Sequence, residues 1–136
     1  MELLSTKGID YSELEKLLKA KEWRKADELM AKHMLKVANR ESQGYLDVDS
    51  IKIFPCKDLW TIDQLWVYYS NGLYGFSVQR DIYVECGGKL DFSYPSHMTW
   101  DKFCDRTAWK KDGYVSYPTK RQNFNHVFSR IETCRL

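Results

Sequence analysis

The sequence predicts an all-α fold, a compact helical bundle that ends in an irregular C-terminal segment. Two observations carry this prediction: apolar residues recur at helical spacing through most of the chain, and glycines and prolines fall between these runs. A chain of 136 residues suits one domain, since at this size roughly two-thirds of the unfolded surface is buried. We therefore expect residues 1–10 to form an N-terminal tail and residues 11–136 to form a single helical domain.

The first 40 residues predict a helical hairpin. Ser12 and Glu15 have the spacing of a capping box, which indicates a short first helix, and the chain should turn around Ala20 and Lys21. The second helix carries one apolar stripe, formed by Trp23, Ala26, Met30, Met34 and Val37. A stripe of this kind is more typical of a core than of a cofactor site.

Residues 45–55 predict a loop or a single helical turn. Gly44 breaks the second helix, and the alternation in YLDVDSIKIFP is too short and too acidic for a convincing strand. Pro55 disfavours a helical conformation at Phe54. Helical signals resume at Thr61.

The stretch from Thr61 to Ser70 predicts a helix, although a β-hairpin competes. Valine, tyrosine and phenylalanine favour strands, and Asn71-Gly72 is a common hairpin turn. Against this, Thr61 and Gln64 form a capping-box pattern, and apolar residues follow helical spacing at Ile62, Leu65, Trp66 and Tyr69. We therefore interpret Asn71-Gly72 as a left-handed helix stop.

Two further helices and one short closing helix complete the prediction. Ser77 should cap a helix that ends at Gly87-Gly88, and residues 87–98 should form a loop. The next helix should start after Thr99 and end near Arg106. The remainder predicts irregular structure, with a short closing helix near residues 124–131.

Composition narrows the class of protein. The net charge of +2 argues against a nucleic-acid partner, and no run approaches the ~20 apolar residues of a membrane span. With no signal-peptide pattern either, we expect a soluble intracellular monomer, which leaves room for peripheral membrane association. The four cysteines, Cys56, Cys86, Cys104 and Cys134, lack zinc-ligand spacing, so we expect reduced thiols.

No catalytic or metal-binding constellation is recognisable. The sequence shows no nucleophile with a base, no cluster of metal ligands and no phosphate-binding glycine loop, so we expect a non-catalytic protein without a metal site. His33 should lie within the second helix at the surface or at the boundary of the core, while His97 and His126 should be ordinary solvated residues. The alternative for these two is a weak axial ligand to a metallated cofactor.

Aromatic residues interleaved with bases form the remaining pattern. Aromatic residues make up 15% of the chain, and the set comprises Tyr68, Tyr69, Tyr74, Phe76, Trp100, Phe103, Trp109, Tyr114 and Tyr117 with Arg80, Lys110, Lys120 and Arg121. Such residues suit a flat apolar ligand with anionic edges, because rings pack on its faces and cations hold its carboxylates. Single-stranded nucleic acid could use the same set, and so could a simple helical core.

The segment FPCKDLWTIDQLWVYYSNGLYGFSVQRDIY, residues 54–83, resembles the "genomes uncoupled" tetrapyrrole-binding proteins of cyanobacteria and chloroplasts. In that family an FP-x-x-DL-x-TID-x-LW stretch leads into YS-x-G-x-x-GFSVQ. The similarity extends to EWRKADELMAKHML and NRESQGYL, and more loosely to WDKFCDRTAWKKDGYVSY. It covers residues 11–117, nearly the whole chain.

The resemblance implies an all-helical domain shaped like a cupped hand, with a ligand groove that binds protoporphyrin IX or magnesium protoporphyrin IX. It also implies stimulation of magnesium chelatase through the large porphyrin-binding subunit of that enzyme, without catalysis by the protein itself. The expected location is the cytoplasm of a cyanobacterium or, for a plastid-encoded chain, the chloroplast stroma. The alternative is a divergent sensor that binds haem or a bilin, or a protein-interaction adaptor domain in signalling.

The resemblance also implies ligand-contacting residues. Family palm positions fall on Val67 and Phe76, and the flexible loop of the family corresponds to residues 87–109. The expected pigment contacts are Val67 and Phe76 from the palm and Trp100, Phe103 and Trp109 from the loop. Tyr74 is added for its ring, and Arg80 and Arg121 are added as cations beside the propionates. The chain has RQNFNHVFSRIETCRL where the family usually has a Gly-His-Leu-Pro element, so Arg121 is chosen for its charge alone.

Overall fold

The structure, a computed structural model, describes residues 2–107 and 124–136. Over those residues the chain forms seven helices and no strand, which confirms the all-α prediction. The helices are α1 Ser12–Lys19, α2 Trp23–Val37, α3 Val48–Lys52, α4 Cys56–Tyr69, α5 Phe76–Glu85, α6 His97–Thr107 and α7 Phe124–Thr133. None of these helices has the length and apolar character that a membrane crossing requires.

One apolar core connects all seven described helices. The predicted stripe of α2 lies in it, with Ala26, Met30, Met34 and Val37 buried and Trp23 half-buried. From the other helices the core takes Leu14, Leu18, Ile51, Leu59, Ile62, Leu65, Trp66, Phe76, Tyr83, Phe103, Val127, Phe128 and Ile131. The aromatic surplus of the sequence is thus partly used in packing.

The α1–α2 hairpin forms as predicted, with Lys21 in a left-handed conformation at the turn. Its predicted capping box is wrong. Tyr11 is the N-cap residue, and no side chain caps the helix. The backbone N–H of Ser12 instead donates to Asp10 Oδ1 at 2.9 Å. Asp10 thus accepts the hydrogen bond that Glu15 would accept in a capping box.

α4 begins five residues before the predicted start. Pro55 is its N-cap residue, and a proline there costs no hydrogen bond because the first amides of a helix have no partner within it. Thr61 therefore lies inside the helix, and its hydroxyl donates to the carbonyl of Leu4 at 2.6 Å. The predicted capping box at Thr61 and Gln64 is wrong, whereas the stop at Asn71-Gly72 is confirmed by positive φ at both residues.

A buried carboxylate attaches the N-terminal segment to α4. Asp58 is fully buried and accepts hydrogen bonds from the hydroxyls of Ser5 and Tyr11 at 2.5 and 2.7 Å, and from the amide of Thr6 at 2.9 Å. Residues 4–11 thus lie against the first turns of α4. The domain boundary expected at residue 11 stays a prediction.

The expectation that all four cysteines are reduced is wrong. Cys56, the first residue of α4, forms a disulfide with Cys134, which directly follows α7. The fold brings the start of one helix against the end of the other, so two residues 78 positions apart have Cα atoms only 5.6 Å apart. Cys86 and Cys104 keep reduced thiols, as expected.

Candidate functional site

α4 and α5 meet at a tight joint, residues 70–77. Asn71, Gly72 and Gly75 have φ of 54°, 81° and 128°, values that glycine adopts easily and other residues rarely. A Cβ on buried Gly75 would lie 2.5 Å from Val67 Cγ2, so the joint packs directly against the side chain of Val67. Within it, the amide of Tyr74 donates to Ser70 Oγ at 2.8 Å.

Asp63 caps α5 from the neighbouring helix. The predicted cap at Ser77 is wrong, because α5 starts at Phe76 with Gly75 as the N-cap residue, which offers no side chain. The amide of Ser77 donates to Asp63 Oδ1 at 2.8 Å. Asp63 is 1% exposed, and burial raises its pKa against the opposing effects of the Ser77 hydrogen bonds and of Arg80.

Three aromatic rings, the tryptophan cluster, lie beside the joint. Trp23 stacks on Trp66 with ring centroids 6.0 Å apart, and Tyr74 meets both rings edge-on at 5.4 and 6.3 Å. Trp66 is buried and its indole N–H points to Met30 Sδ at 3.1 Å, whereas Trp23 and Tyr74 are half-buried. The cluster therefore offers two partly open rings next to Val67.

A second aromatic group, the Tyr83 cluster, lies at the far end of α5. The Tyr83 ring is 6.4 Å from Trp100, 5.7 Å from Phe103 and 5.3 Å from Phe128. Within the described part of the chain its buried hydroxyl has no hydrogen-bond partner, and burial raises the pKa of Tyr83 to about 12. Trp100, which is half-buried, gives this cluster its accessible edge.

Arg80 lies between the two aromatic groups and forms one side of an open groove. Its guanidinium contacts Asp81 at 2.8 Å and Glu132 at 3.2 Å, and reaches the carbonyl of Leu136 at 3.5 Å. The α5–α7 groove has a volume of about 760 Å³ and is lined by Arg80, Asp81, Val84, Leu90, Glu132, Arg135 and Leu136. That volume lies within the roughly 300–1,000 Å³ of small-molecule sites.

The predicted ligand residues thus occupy three neighbourhoods along α5. Val67 and Tyr74 lie half-buried at the joint, Arg80 lies in the groove, and Trp100 lies in the Tyr83 cluster. Phe76 and Phe103 are only 4% and 0% exposed, so their rings pack in the core. Their contact with a ligand stays a prediction.

Two of the predicted ligand residues, Trp109 and Arg121, lie outside the described residues. Lys110, Tyr114, Tyr117 and Lys120 of the wider aromatic and basic pattern lie there too.

His126 departs from expectation, because it is buried and not solvated. α7 directs it into the protein, where its ring meets Tyr94 at 4.7 Å and its Nδ1 lies 3.3 Å from Asn125 Nδ2. Burial lowers the pKa of His126, which favours the neutral ring. His97 is exposed and His33 is half-buried, as expected.

Metal coordination finds no support in residues 2–107 and 124–136. No group of three histidine, cysteine, aspartate or glutamate side chains there is placed to hold an ion. Tyr83 and Asp63 have shifted pKa values, but each lies in a packed interior and neither faces a partner nucleophile in the contacts described above.

Comparison with known proteins decides the family. The family model described as GUN4-like matches residues 4–129. The chain belongs to the GUN4-like family. This confirms the resemblance carried by residues 54–83.

Relatives of the GUN4-like chain come from algae, cyanobacteria and plants. The uncharacterized protein ycf53 of Pyropia yezoensis is 32% identical over 91% of this chain and 49% of its own length. The Ycf53-like protein of Synechocystis sp. is 32% identical over 80% of this chain and 47% of its own. The chloroplastic tetrapyrrole-binding protein of Arabidopsis thaliana is 31% identical over 77% and 40%. The chain thus spans about half the length of the curated relatives it matches.

Sequence reasoning missed Asp63, Trp23 and Tyr83 as parts of these sites. Asp63 falls at helical spacing from Leu59 and Trp66, so a charged residue on an apolar face was the available signal. Tyr83 lies seven residues after Phe76, on the same face of α5. Nothing in the sequence pattern links Trp23 to Tyr74, because their contact depends on how α2 packs on α4.

Proposed function

We propose that this GUN4-like chain binds a tetrapyrrole without catalysing a reaction on it, with protoporphyrin IX or magnesium protoporphyrin IX as the ligand. The observation that carries the proposal is family membership over residues 4–129, together with a relative whose name records tetrapyrrole binding. By the same reasoning, the pigment-loaded protein engages the large subunit of magnesium chelatase and stimulates it.

The structure supports an apolar ligand surface at the joint. Tyr74 and Trp23 expose part of their rings beside half-buried Val67, and Leu73 at the tip of the joint is 69% exposed. Burying apolar area contributes ~25 cal/mol per Å², so the broad face of a porphyrin gains far more here than the ~0–1 kcal/mol of an exposed ion pair. Arg80 then orients the propionates and adds little affinity.

Titration with protoporphyrin IX and with its magnesium form tests the proposal. Tryptophan quenching and the Soret shift should saturate together at micromolar or tighter pigment. Tyr74→Ala should weaken binding by roughly tenfold, because it removes one ring of the tryptophan cluster. Tyr45→Ala is the matched control, since Tyr45 is exposed beside Arg40, away from the joint. A flat titration would reject pigment binding and favour a protein-interaction adaptor.

The role of Arg80 is tested with the dimethyl ester of protoporphyrin, which has no free propionates. Arg80→Gln should lower affinity for the acid by roughly fivefold and leave affinity for the ester unchanged. Arg106→Gln, at an exposed arginine paired with Glu85, is the control. Equal losses for acid and ester would show that Arg80 acts through packing and not through charge.

A further inference from the structure

The Cys56–Cys134 disulfide joins two elements that are distant in sequence and lies next to the α5–α7 groove. Cys56 is the first residue of α4, and Cys134 is followed by two groove residues, Arg135 and Leu136. Both cysteines are half-buried, so neither is sealed in the core. We propose that this disulfide is a redox-sensitive latch that holds the end of α7 in place and thereby shapes the α5–α7 groove.

The contacts that hold α7 in place are stronger up to Ile131 than after it. Before that point the helix is held without the disulfide, because Val127, Phe128 and Ile131 are buried and Arg130 Nε donates to the carbonyl of Phe54 at 3.0 Å. Opening the latch therefore leaves the body of α7 in place.

After Ile131 the anchors are weaker. Glu132, Thr133 and Arg135 are exposed, and the Glu132–Arg80 pair is partly open to solvent. Leu136 packs partly buried against the core, its amide donates to the carbonyl of Ile131 at 3.0 Å, and its own carbonyl lies 3.5 Å from Arg80. Exposed ion pairs contribute ~0–1 kcal/mol, so the disulfide and the partly buried side chain of Leu136 are the main restraints on this wall of the groove.

The latch opens by thiol–disulfide exchange with a dithiol, either a small molecule or a protein. One thiolate of the dithiol attacks Sγ of Cys56 or Cys134, the protein disulfide breaks, and a mixed disulfide forms. The second thiol of the dithiol then resolves it, which leaves two cysteine thiols and an oxidised dithiol after transfer of two electrons. Exposed Lys57 and Arg135, each adjacent to a latch cysteine, favour approach of an attacking thiolate.

Thiol labelling and amide hydrogen exchange test the latch on the full chain. Under native conditions dithiothreitol should raise the number of labelled cysteines from two to four. Exchange should increase at least tenfold at residues 133–136 and stay within twofold at residues 125–130. The Tm should also fall by about 10 °C, because a 78-residue link restricts the unfolded chain.

Two double variants control the experiment. Cys56→Ser with Cys134→Ser should show the exchange pattern of the reduced protein and two labelled cysteines with or without dithiothreitol. Cys86→Ser with Cys104→Ser should show the wild-type change in exchange, and its labelled cysteines should rise from none to two on reduction. Labelling that reaches four only when the chain unfolds would overturn the latch, because the bond would then be purely structural. Unchanged exchange at residues 133–136 after reduction would overturn it as well.

The effect on pigment rests on the proposed function. Because Arg80 binds Glu132 and Leu136, opening the latch releases its guanidinium from these two partners and leaves only its 2.8 Å contact with Asp81 among those described above, so affinity for protoporphyrin IX should change at least threefold between the oxidised and reduced protein. Equal affinity in both states would overturn control of the groove. Absence of pigment binding in both states would count against the proposed function, and the exchange pattern would still decide the latch.

Discussion

Asp63 places a carboxyl group in the protein interior, where burial disfavours the charged form. The carboxylate is nearly inaccessible, and within the described residues its Oδ2 has no hydrogen-bond partner. Burial raises its pKa, so the folded protein binds a proton here more readily than the unfolded chain does. The contribution of Asp63 to the free energy of unfolding is therefore greatest below the unfolded pKa and is lost as pH rises through the folded pKa.

Two substitutions at Asp63 separate the effect of its charge on stability from the effect of its hydrogen bond to the Ser77 amide. Asp63→Asn keeps an oxygen for the Ser77 amide, so we expect it to match or exceed the wild-type free energy of unfolding at neutral pH. Asp63→Ala leaves that amide without a cap and should be less stable than Asp63→Asn by about 1 kcal/mol. Urea unfolding between about pH 3 and pH 7 measures both, a range that spans the ordinary aspartate pKa and the values above it.

The pH dependence supplies the control for this prediction. The difference between wild type and Asp63→Asn should shrink as pH falls, because the protonated carboxyl resembles the amide. Asp101→Asn, at an exposed position of α6, should track the wild type throughout. Parallel curves for wild type and Asp63→Asn would mean that Asp63 titrates normally.

At the scale of elements, the α4–α5 joint depends on the absence of a side chain at Gly75. Gly75→Ala places a Cβ 2.5 Å from Val67 Cγ2 and 3.0 Å from Asp63 Oδ1, and it does so at a φ of 128°. We expect a loss of roughly 2–4 kcal/mol in the free energy of unfolding, from backbone strain and overpacking together. Chemical denaturation monitored by circular dichroism measures it.

Gly72→Ala is the matched comparison within the same joint. Gly72 also has positive φ, at 81°, but a Cβ there meets nothing within 4 Å, so only the backbone cost of about 1 kcal/mol remains. Adding Val67→Ala to Gly75→Ala should recover part of the larger loss. If the two glycine variants lose equal stability, the contact with Val67 does not restrain the joint.

Periodicity predicted the helices well and the caps poorly, for a physical reason. Apolar spacing reports which face of a helix is buried, and that held for α2 and α4. Capping depends on what each polar side chain contacts in three dimensions. Thr61 contacts Leu4, and Asp63 caps a helix other than its own.

The candidate site was predictable to a smaller extent. The family motif predicted the joint and the place of Val67 beside it, whereas Tyr74 and Arg80 follow from residue type alone, and contact of all three with a ligand stays a prediction. Contacts between elements distant in sequence, such as Trp23 with Tyr74 or Cys56 with Cys134, have no local signal. Burial of His126 could not be predicted from the sequence either, because it depends on how the residues around Tyr94 pack over α7.

At the scale of the whole molecule, α4 has two different ends. Its first turns hold the N-terminal segment through Asp58 and Thr61 and the C-terminal residues through Cys56. Its last turn carries Val67 and the joint. A ligand that stabilises the joint therefore acts on the same helix that holds the N-terminal segment and the C-terminal residues in place.

A ligand at the joint should consequently raise the stability of the whole domain. A pigment that binds only the folded state contributes about 2.7 kcal/mol when its free concentration is one hundred times Kd, which corresponds to a rise in Tm of roughly 5–10 °C. The Tm should increase with the logarithm of protoporphyrin concentration in thermal scans followed at 222 nm, and Tyr74→Ala should shift this dependence to higher concentration. Fluorescence quenching with an unchanged Tm would instead mean that pigment adsorbs equally to folded and unfolded chains, because only preferential binding to the folded state displaces the equilibrium.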